Sequence, residues 1–341
     1  MAAYPVLLGM TRDVGPGQDG AGKSAPDTAP GRSCPLHYHY AARAFRRAPE
    51  IRAETLLIAG GLYGNPQALD ALLALAAAEP GGASLVFNGD FHWFDIDAST
   101  YARIDDAVLH HAALRGNVET ELATQESTAG CGCAYPQWVG DAEVERSNRI
   151  LATLKQTATA NPGRRLRLGE LPMHLLAQVG DIRVAIVHGD AQSLAGWAFA
   201  QEALRDSPAE AARQLAATGA QVLASSHTCL PVLAEFDLLQ GRSVLINNGA
   251  AGMPNFFGTR HGVVTRISLR PGRDVLYGAK VGEVHVEALQ LDYDTRAWDA
   301  QFDAWWPAGS PAAQSYRARI AAGPRYTMRD AMRGLLAAGR H

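Results

Sequence analysis

The sequence predicts a layered α/β fold, in which strands and helices alternate along the chain. Two observations support this prediction. Short apolar runs closed by glycine, such as TLLIAGG from Thr55 and SLVFNGD from Ser84, are typical of buried parallel strands. A segment with helical periodicity, QALDALLALAAAE from Gln67, separates those two runs.

The alternation continues through the rest of the chain. We predict a helix in YARIDDAVLHHA, a short strand end and turn in LRGNVE, and a long helix in AEVERSNRILATLKQTA. The segments LPMHLLAQV and DIRVAIVHGD are predicted to form paired strands, and AEAARQLAATG a helix. Further strands are predicted in QVLASSHT, SVLINNGAAG and GVVTRISL.

Composition divides the chain into three parts. Residues 1–50 are predicted to form an N-terminal arm, because residues 13–32 are rich in Gly, Pro, Asp and Ser. Residues 51–294 are predicted to form the main domain, and residues 295–341 a helical C-terminal appendage. Trp305 and Trp306 are expected to pack that appendage on the domain; a dimer contact, and hence a homo-oligomer, is the alternative.

Charge and hydropathy exclude several classes of partner. The formal net charge of −3 gives no global electrostatic reason to expect nucleic acid or an anionic membrane. No apolar run reaches the roughly 18 residues of a membrane-spanning helix. The N-terminus lacks a basic region ahead of a long apolar core, so we expect a cytoplasmic protein. Its four cysteines are then expected to be thiols, and thiols are candidate metal ligands.

Four predicted strands end at side chains that bind metals. These side chains are Asp90, Asn117, His188 and His227. The carboxyl ends of strands in an α/β sheet converge, so the four are expected to lie together. Taken singly, each has a structural explanation, such as a cap, a turn or a satisfied buried histidine. Taken together, their mixed oxygen and nitrogen donors predict a site for zinc, manganese or iron.

The order of these motifs resembles the calcineurin-like metallophosphoesterases. The resemblance covers about residues 54 to 270 and implies a layered β-sandwich flanked by helices. The pieces that carry it are GGLYGN (60–65), NGD (88–90), RGNVE (115–119), VHGD (187–190), SSHTC (225–229) and INNGAAGMP (246–254).

The resemblance implies two metal positions that share a bridging aspartate. For the second metal, all four implied ligands are present, namely Asp90, Asn117, His188 and His227. For the first metal, the implied positions hold Gly61, Tyr63, Asp90 and Cys229. An aspartate and a histidine are therefore absent, and a thiol replaces one imidazole. One or two ions are accordingly expected.

Other residues are candidates for a rebuilt first site. They are Cys34, His37, His39, Cys131 and Cys133, with Cys229 completing the set. The alternative is that the two histidines are surface residues and that the thiols of the 131–133 loop are incidental.

The resemblance also implies a reaction mechanism. It implies in-line attack on phosphorus by a metal-activated water, with Asn117 beside the phosphoryl group. Val118 stands where many relatives carry a histidine acid. This favours substrates with a good leaving group, or an acid supplied from elsewhere, for which His92 is the candidate. Tyr63 is expected to pack in its turn or to donate its hydroxyl to a substrate oxygen, because a phenolate ligand is costly.

We therefore expect a metal-dependent hydrolase of small-molecule phosphomonoesters or phosphodiesters. Two alternatives come from other classes. The first is a non-catalytic binding or regulatory protein with the same fold. The second is a thiolate-containing metal centre with different chemistry.

Overall fold

A computed structural model describes residues 29–336. The first 28 residues of the predicted arm and residues 337–341 of the predicted appendage lie outside the described residues. Within residues 29–336, no helix is both long enough and apolar enough to cross a membrane.

Strands and helices alternate up to Thr218, and six consecutive strands then follow between Val222 and Leu291. In chain order the strands are β1 (Ile51–Ala53), β2 (Thr55–Ala59), β3 (Ser84–Asn88), β4 (Ala112–Leu114), β5 (His174–Val179), β6 (Ile182–Val187), β7 (Val222–Ser225), β8 (Pro231–Leu238), β9 (Gly241–Asn248), β10 (Gly262–Ser268), β11 (Val275–Val281), β12 (Val284–Leu291) and β13 (Met332–Leu336). The α-helices are α1 (Pro66–Ala78), α2 (Ala98–Leu109), α3 (Asn117–Ala123), α4 (Asp141–Thr159), α5 (Pro162–Glu170), α6 (Gln201–Asp206), α7 (Pro208–Thr218), α8 (Thr295–Trp305), α9 (Pro311–Ala322) and α10 (Met328–Ala331).

The strands form two sheets. One has the order β11-β12-β10-β2-β3-β4, and the other has the order β1-β5-β6-β7-β9-β8-β13. Strands β2, β3 and β4 are parallel, as are β6, β7 and β9. Strands β5 and β6 pair antiparallel, as the sequence predicts. Each sheet therefore contributes a parallel group, whose carboxyl ends can carry a site.

The two sheets pack face to face around one large apolar core. Strand β9 of one sheet contacts β10, β11 and β12 of the other. The core joins residues of both sheets, such as Leu57 and Ile267 from one and Val184 and Ile246 from the other. Helices α1, α2 and α7 lie against strands on the outside of the sheets. The predicted β-sandwich flanked by helices is confirmed.

The turn between β2 and α1 is held by local capping. The side chain of Asn65 accepts a hydrogen bond from the Ala68 amide at 3.0 Å, and Pro66 occupies the first helical turn. The other end of the Asn65 amide donates to the Gly252 carbonyl at 3.0 Å. The GGLYGN segment is thereby tied to the helix that follows it and to the loop after β9.

Two segments differ from the expected secondary structure. The segment LRGNVE was expected to end in a turn, but helix α3 begins at Asn117. Residues 162–170, for which the sequence patterns predict no element, form α5. Arg164 of α5 donates to the buried carboxylate of Asp105 at 2.9 Å.

The tail packs closely on the domain. Helices α8 and α9 are present as expected, and the indole of Trp306 donates to the Phe94 carbonyl at 2.8 Å. The tail is not wholly helical, because β13 adds a parallel edge strand beside β8. The described part of the predicted arm also packs on the domain, since Tyr38 is buried and donates to Glu121 at 2.6 Å.

Candidate metal centre and its cavity

The four predicted ligands lie at the ends of four strands from both sheets. Asp90 follows β3 and Asn117 follows β4, while His188 follows β6 and His227 follows β7. All four are buried. The amides of Ser226 and His227 both donate to the His188 carbonyl, at 2.9 and 2.8 Å, so the ends of β6 and β7 are fixed to each other.

The polar atoms of these side chains converge on one point. His188 Nε2 lies 3.2 Å from Asp90 Oδ2, 3.2 Å from Asn117 Oδ1 and 3.2 Å from His227 Nδ1. Donor atoms of Asp90, His188 and His227 all lie within 4.8 Å of one another. Within residues 29–336, this is the one group of three or more His, Cys, Asp or Glu side chains close enough to share a metal ion.

Hydrogen bonds to backbone carbonyls fix the orientation of the ligand side chains. His188 Nδ1 lies 2.9 Å from the Asn88 carbonyl, and His227 Nε2 lies 3.0 Å from the Cys133 carbonyl. Since a carbonyl oxygen only accepts, these nitrogens carry the ring protons and the opposite nitrogens present lone pairs. The Asn117 amide nitrogen donates to the Cys131 carbonyl at 2.9 Å, which turns its oxygen inward.

When His188 and His227 are both neutral, four lone-pair donors face one another, and this arrangement favours a positive charge at their centre. Burial opposes protonation of His188, but the charge of Asp90 and the hydrogen bonds to Asp90 and to the Asn88 carbonyl together outweigh it and raise the pKa of His188. In the metal-free protein a proton on His188 Nε2 supplies this charge, and a metal ion would replace it. Burial and then the charge of His188 lower the pKa of His227 to about 3, so that imidazole stays neutral. A divalent cation fits this donor set, and the two carbonyls serve as partners that orient the ligands.

Glu119 holds together the two loops that carry Asp90 and Asn117. Its buried carboxylate accepts hydrogen bonds from the amides of Asp90 and Gly116, both at 2.8 Å. The same carboxylate accepts from the amides of Phe91 at 3.0 Å and His92 at 3.3 Å. The bond to Gly116, just before α3, also satisfies a free amide at the start of that helix.

Tyr63 fills the space that a side chain at position 61 would occupy. Both residues have left-handed backbone, with φ of 55° at Gly61 and 54° at Tyr63. A Cβ placed on Gly61 would lie 2.6 Å from Cε2 and 2.7 Å from Cζ of the Tyr63 ring. Glycine therefore stands at the position implied for the first-site aspartate, and the phenol ring of Tyr63 occupies the space beside it.

The Tyr63 hydroxyl reaches Cys229. It lies 2.9 Å from Cys229 Sγ, which also donates to the His227 carbonyl at 3.2 Å. Burial, and then the neighbouring Cys229, raise the pKa of Tyr63 well above its usual value. Burial also raises the pKa of Cys229, although the charge of Arg319 opposes this. In the metal-free protein both groups are therefore neutral hydrogen-bonding groups.

A cavity opens over the metal ligands. It encloses about 410 Å³, including its open mouth. It is lined by Tyr63, Asp90, Trp93, Asn117, Val118, Cys133, Tyr135, Trp197, His227, Cys229 and Tyr316. Five of these residues are aromatic, Asp90 is the one carboxylate among them, and none is a lysine or arginine. Polar groups at the base of an aromatic cavity are typical of a small-molecule site.

Two solved structures resemble this one over most of the chain. A metallophosphoesterase from Sphaerobacter thermophilus aligns with a TM-score of 0.52 at 19% identity, over 80% of this chain and 99% of that one. A hypothetical protein from Pyrococcus horikoshii aligns with a TM-score of 0.52 at 14% identity, over 80% and 99%. The chain has the metallophosphoesterase fold. No family model and no curated protein sequence matches it.

Within this metallophosphoesterase fold, His92 is not placed as the expected acid. It is fully buried, does not line the cavity, and lies 2.6 Å from Asp95 through Nδ1. Its ring stacks on Tyr101 with centroids 4.0 Å apart. Burial opposes its protonation, but the charge of Asp95 prevails and raises the pKa of His92 to about 9. The buried carboxylates beside this histidine hold it inside the domain, away from the cavity.

The candidate residues for a rebuilt first site are dispersed. His37 and His39 are exposed, and Cys34 is exposed with its Sγ 3.3 Å from Ser193 Oγ. Cys131 is buried, whereas Cys133 lines the cavity. None of these residues belongs to the metal-binding group found in the described part of the chain. Of this set, the structure brings Cys133 alone to the cavity that Cys229 also lines.

Several residues of the site carry no signal in the sequence. Tyr316 of α9 lines the cavity although it lies in the predicted appendage. The cavity residues Trp93, Tyr135 and Trp197 are separated along the chain and follow no motif. The role of Glu119 was within reach, because it closes the RGNVE motif at the spacing of a helix N-terminal cap.

We expect Gly61→Ala to lower the free energy of unfolding by about 2–3 kcal/mol, because a methyl group adds to left-handed strain and meets the Tyr63 ring. Urea denaturation measures this. The matched control is Gly82→Ala, since Gly82 has φ of 84° and no atom within 4 Å of the added Cβ. It should cost only about 1 kcal/mol. Equal costs at the two glycines would contradict the placement of Tyr63.

Proposed function

We propose that this protein is a metal-dependent phosphoester hydrolase that works with one divalent transition-metal ion. Asp90, Asn117, His188 and His227 would hold the ion. The observation that carries the proposal is the convergence of four inward lone pairs whose orientation is fixed by backbone carbonyls. Two imidazoles with a carboxylate and an amide oxygen suit zinc, manganese or iron(II).

The ion would supply Lewis acidity, lowering the pKa of a bound water and neutralising charge on phosphoryl oxygens. Side chains of the protein would position the substrate and limit the access of water. Asn117 and Asp90 line the base of the cavity, and the aromatic residues above them limit the access of water. The neutral Tyr63 hydroxyl faces the same cavity and can donate a hydrogen bond to a substrate oxygen.

One ion rather than two follows from the Tyr63 side of the cavity. The phenol ring occupies the space beside Gly61, and its hydroxyl is hydrogen-bonded to Cys229. In the described part of the chain, Cys229 does not belong to the group of side chains close enough to share a metal ion. This placement also disfavours a thiolate-containing metal centre.

Hydrolysis assays with the purified protein test the proposal. The metal-free protein would be reconstituted with Mn²⁺, Zn²⁺ or Fe²⁺ and assayed on p-nitrophenyl phosphate and bis-p-nitrophenyl phosphate. We expect metal-dependent release of p-nitrophenol with at least one ion, and at least about 100-fold less with His227→Ala. Turnover that is independent of metal, or equal in wild type and His227→Ala, would contradict the proposal. Metal binding without any turnover would favour a non-catalytic binding protein.

A further inference from the structure

Helix α9 of the C-terminal segment places a buried arginine beside the cavity. The side chain of Arg319 is 1% exposed. Its Nη2 donates to the Cys229 carbonyl at 2.8 Å, and its Nε donates to the Pro254 carbonyl at 3.0 Å. Tyr316, one turn earlier on α9, lines the cavity, so the two residues share a face of the helix.

The charge of Arg319 has no carboxylate partner in the part of the chain that the structure describes. Within residues 29–336, no carboxylate oxygen lies within 4.0 Å of its guanidinium, and its Nη1 is buried without a hydrogen-bond acceptor. Carbonyl groups satisfy two of its nitrogens but do not neutralise a charge. A buried charge is costly unless an opposite charge lies near it. The neighbouring Arg317 is different, because it pairs with Asp299 and Asp303.

The groups in front of Arg319 are neutral hydrogen-bonding groups. Arg319 donates to the backbone carbonyl of Cys229. The thiol of Cys229 lines the cavity beside the Tyr63 hydroxyl. Among residues 29–336, no lysine or arginine side chain lines the cavity. This side of the cavity therefore carries a hydroxyl and a thiol that are hydrogen-bonded to each other, with an unpaired cation behind them. An oxyanion is the ligand that satisfies both.

We propose that Arg319 provides the fixed positive charge of an oxyanion subsite at the Tyr63–Cys229 side of the cavity. The subsite takes a tetrahedral oxyanion such as a phosphoryl group. The guanidinium thereby supplies charge on the side where Tyr63 excludes a second metal ion. The inference rests on the proposed function only in assigning the bound phosphoryl group to a phosphoester substrate.

Calorimetric titration of the metal-loaded protein with inorganic phosphate tests the subsite without turnover. We expect Arg319→Gln to weaken phosphate binding at least about 10-fold, and Arg319→Lys, which keeps the charge, to weaken it no more than about 3-fold. Arg317→Gln is the matched control on the same helix and should bind as wild type. Metal content should be unchanged in all three. Equal affinity in wild type and Arg319→Gln would overturn the proposal, as would a wild type that does not bind phosphate.

A second measurement needs no variant of Arg319, should Arg319→Gln fail to fold. Phosphate should slow alkylation of Cys229 in the wild-type protein at least about 5-fold, and leave the exposed Cys34 unaffected, as read by peptide mass spectrometry. Absence of protection at Cys229 would overturn the subsite. If phosphate binding depends on Arg319 but the protein hydrolyses no substrate, the proposed function alone is contradicted. If the protein hydrolyses substrate but Arg319→Gln binds phosphate as wild type does, the subsite alone is contradicted.

Discussion

Asp90→Asn is expected to abolish tight metal binding while leaving the fold intact. The change is isosteric, and the retained amide oxygen can still accept from the Val118 amide, which lies 3.2 Å from Asp90 Oδ1. The new amide nitrogen would donate to His188 Nε2 and so occupy the point where the lone pairs converge. We expect metal affinity to fall at least about 100-fold and hydrolysis to fall with it.

Elemental analysis and thermal unfolding of the metal-free protein measure the two effects separately. The control is Asp274→Asn, because Asp274 also has left-handed backbone, with φ of 53°, but is exposed. It should retain the metal. An Asp90→Asn protein that keeps its metal, or that loses it only because it unfolds, would contradict the assignment of Asp90 as a ligand.

Glu119→Gln is expected to damage both stability and metal binding. The carboxylate accepts from four backbone amides, and a glutamine would turn its own donor toward two of them. We expect the free energy of unfolding to fall by about 3 kcal/mol. The loops that carry Asp90 and Asn117 would lose their common anchor, so metal affinity should fall about 10- to 100-fold.

Urea denaturation of the metal-free protein isolates the stability effect, and titration of metal into the folded protein isolates the affinity effect. Glu126→Gln is the control, since Glu126 is exposed. It should change neither quantity. If Glu119→Gln unfolds early but binds metal as wild type does, Glu119 stabilises the domain without positioning the ligands.

The elements that carry the site were predictable because their signals are local. The apolar runs that become β3 and β6 end directly at Asp90 and His188, and the convergence of strand ends requires only the sheet. The helix that begins at Asn117 was missed although Glu119 stands at the spacing of an N-terminal cap, because the same carboxylate also binds the Asp90 loop, a contact that the local sequence does not show. Strand β13 was missed because its pairing with β8 joins segments far apart in sequence.

The other half of the cavity depends on side-chain directions that the sequence does not encode locally. In the sequence, Gly61 and Tyr63 are two independent replacements of metal ligands. In the structure they depend on each other, because the absent Cβ of the glycine leaves space for the phenol ring. His92 was expected near the substrate because it follows Asp90, but the carboxylates of Asp95 and Asp105 hold it inside. Arg319 belongs to a tail that the motif order does not reach.

One divalent ion is expected at Asp90, Asn117, His188 and His227. Elemental analysis of the wild-type protein after reconstitution with excess Zn²⁺ or Mn²⁺ and removal of free metal measures it. We expect one ion per chain, lost with His227→Ala and retained with Cys229→Ala. Two ions per chain, with one lost on Cys229→Ala, would contradict this expectation by showing a rebuilt first site. No bound ion would contradict the proposed metal-dependent hydrolase.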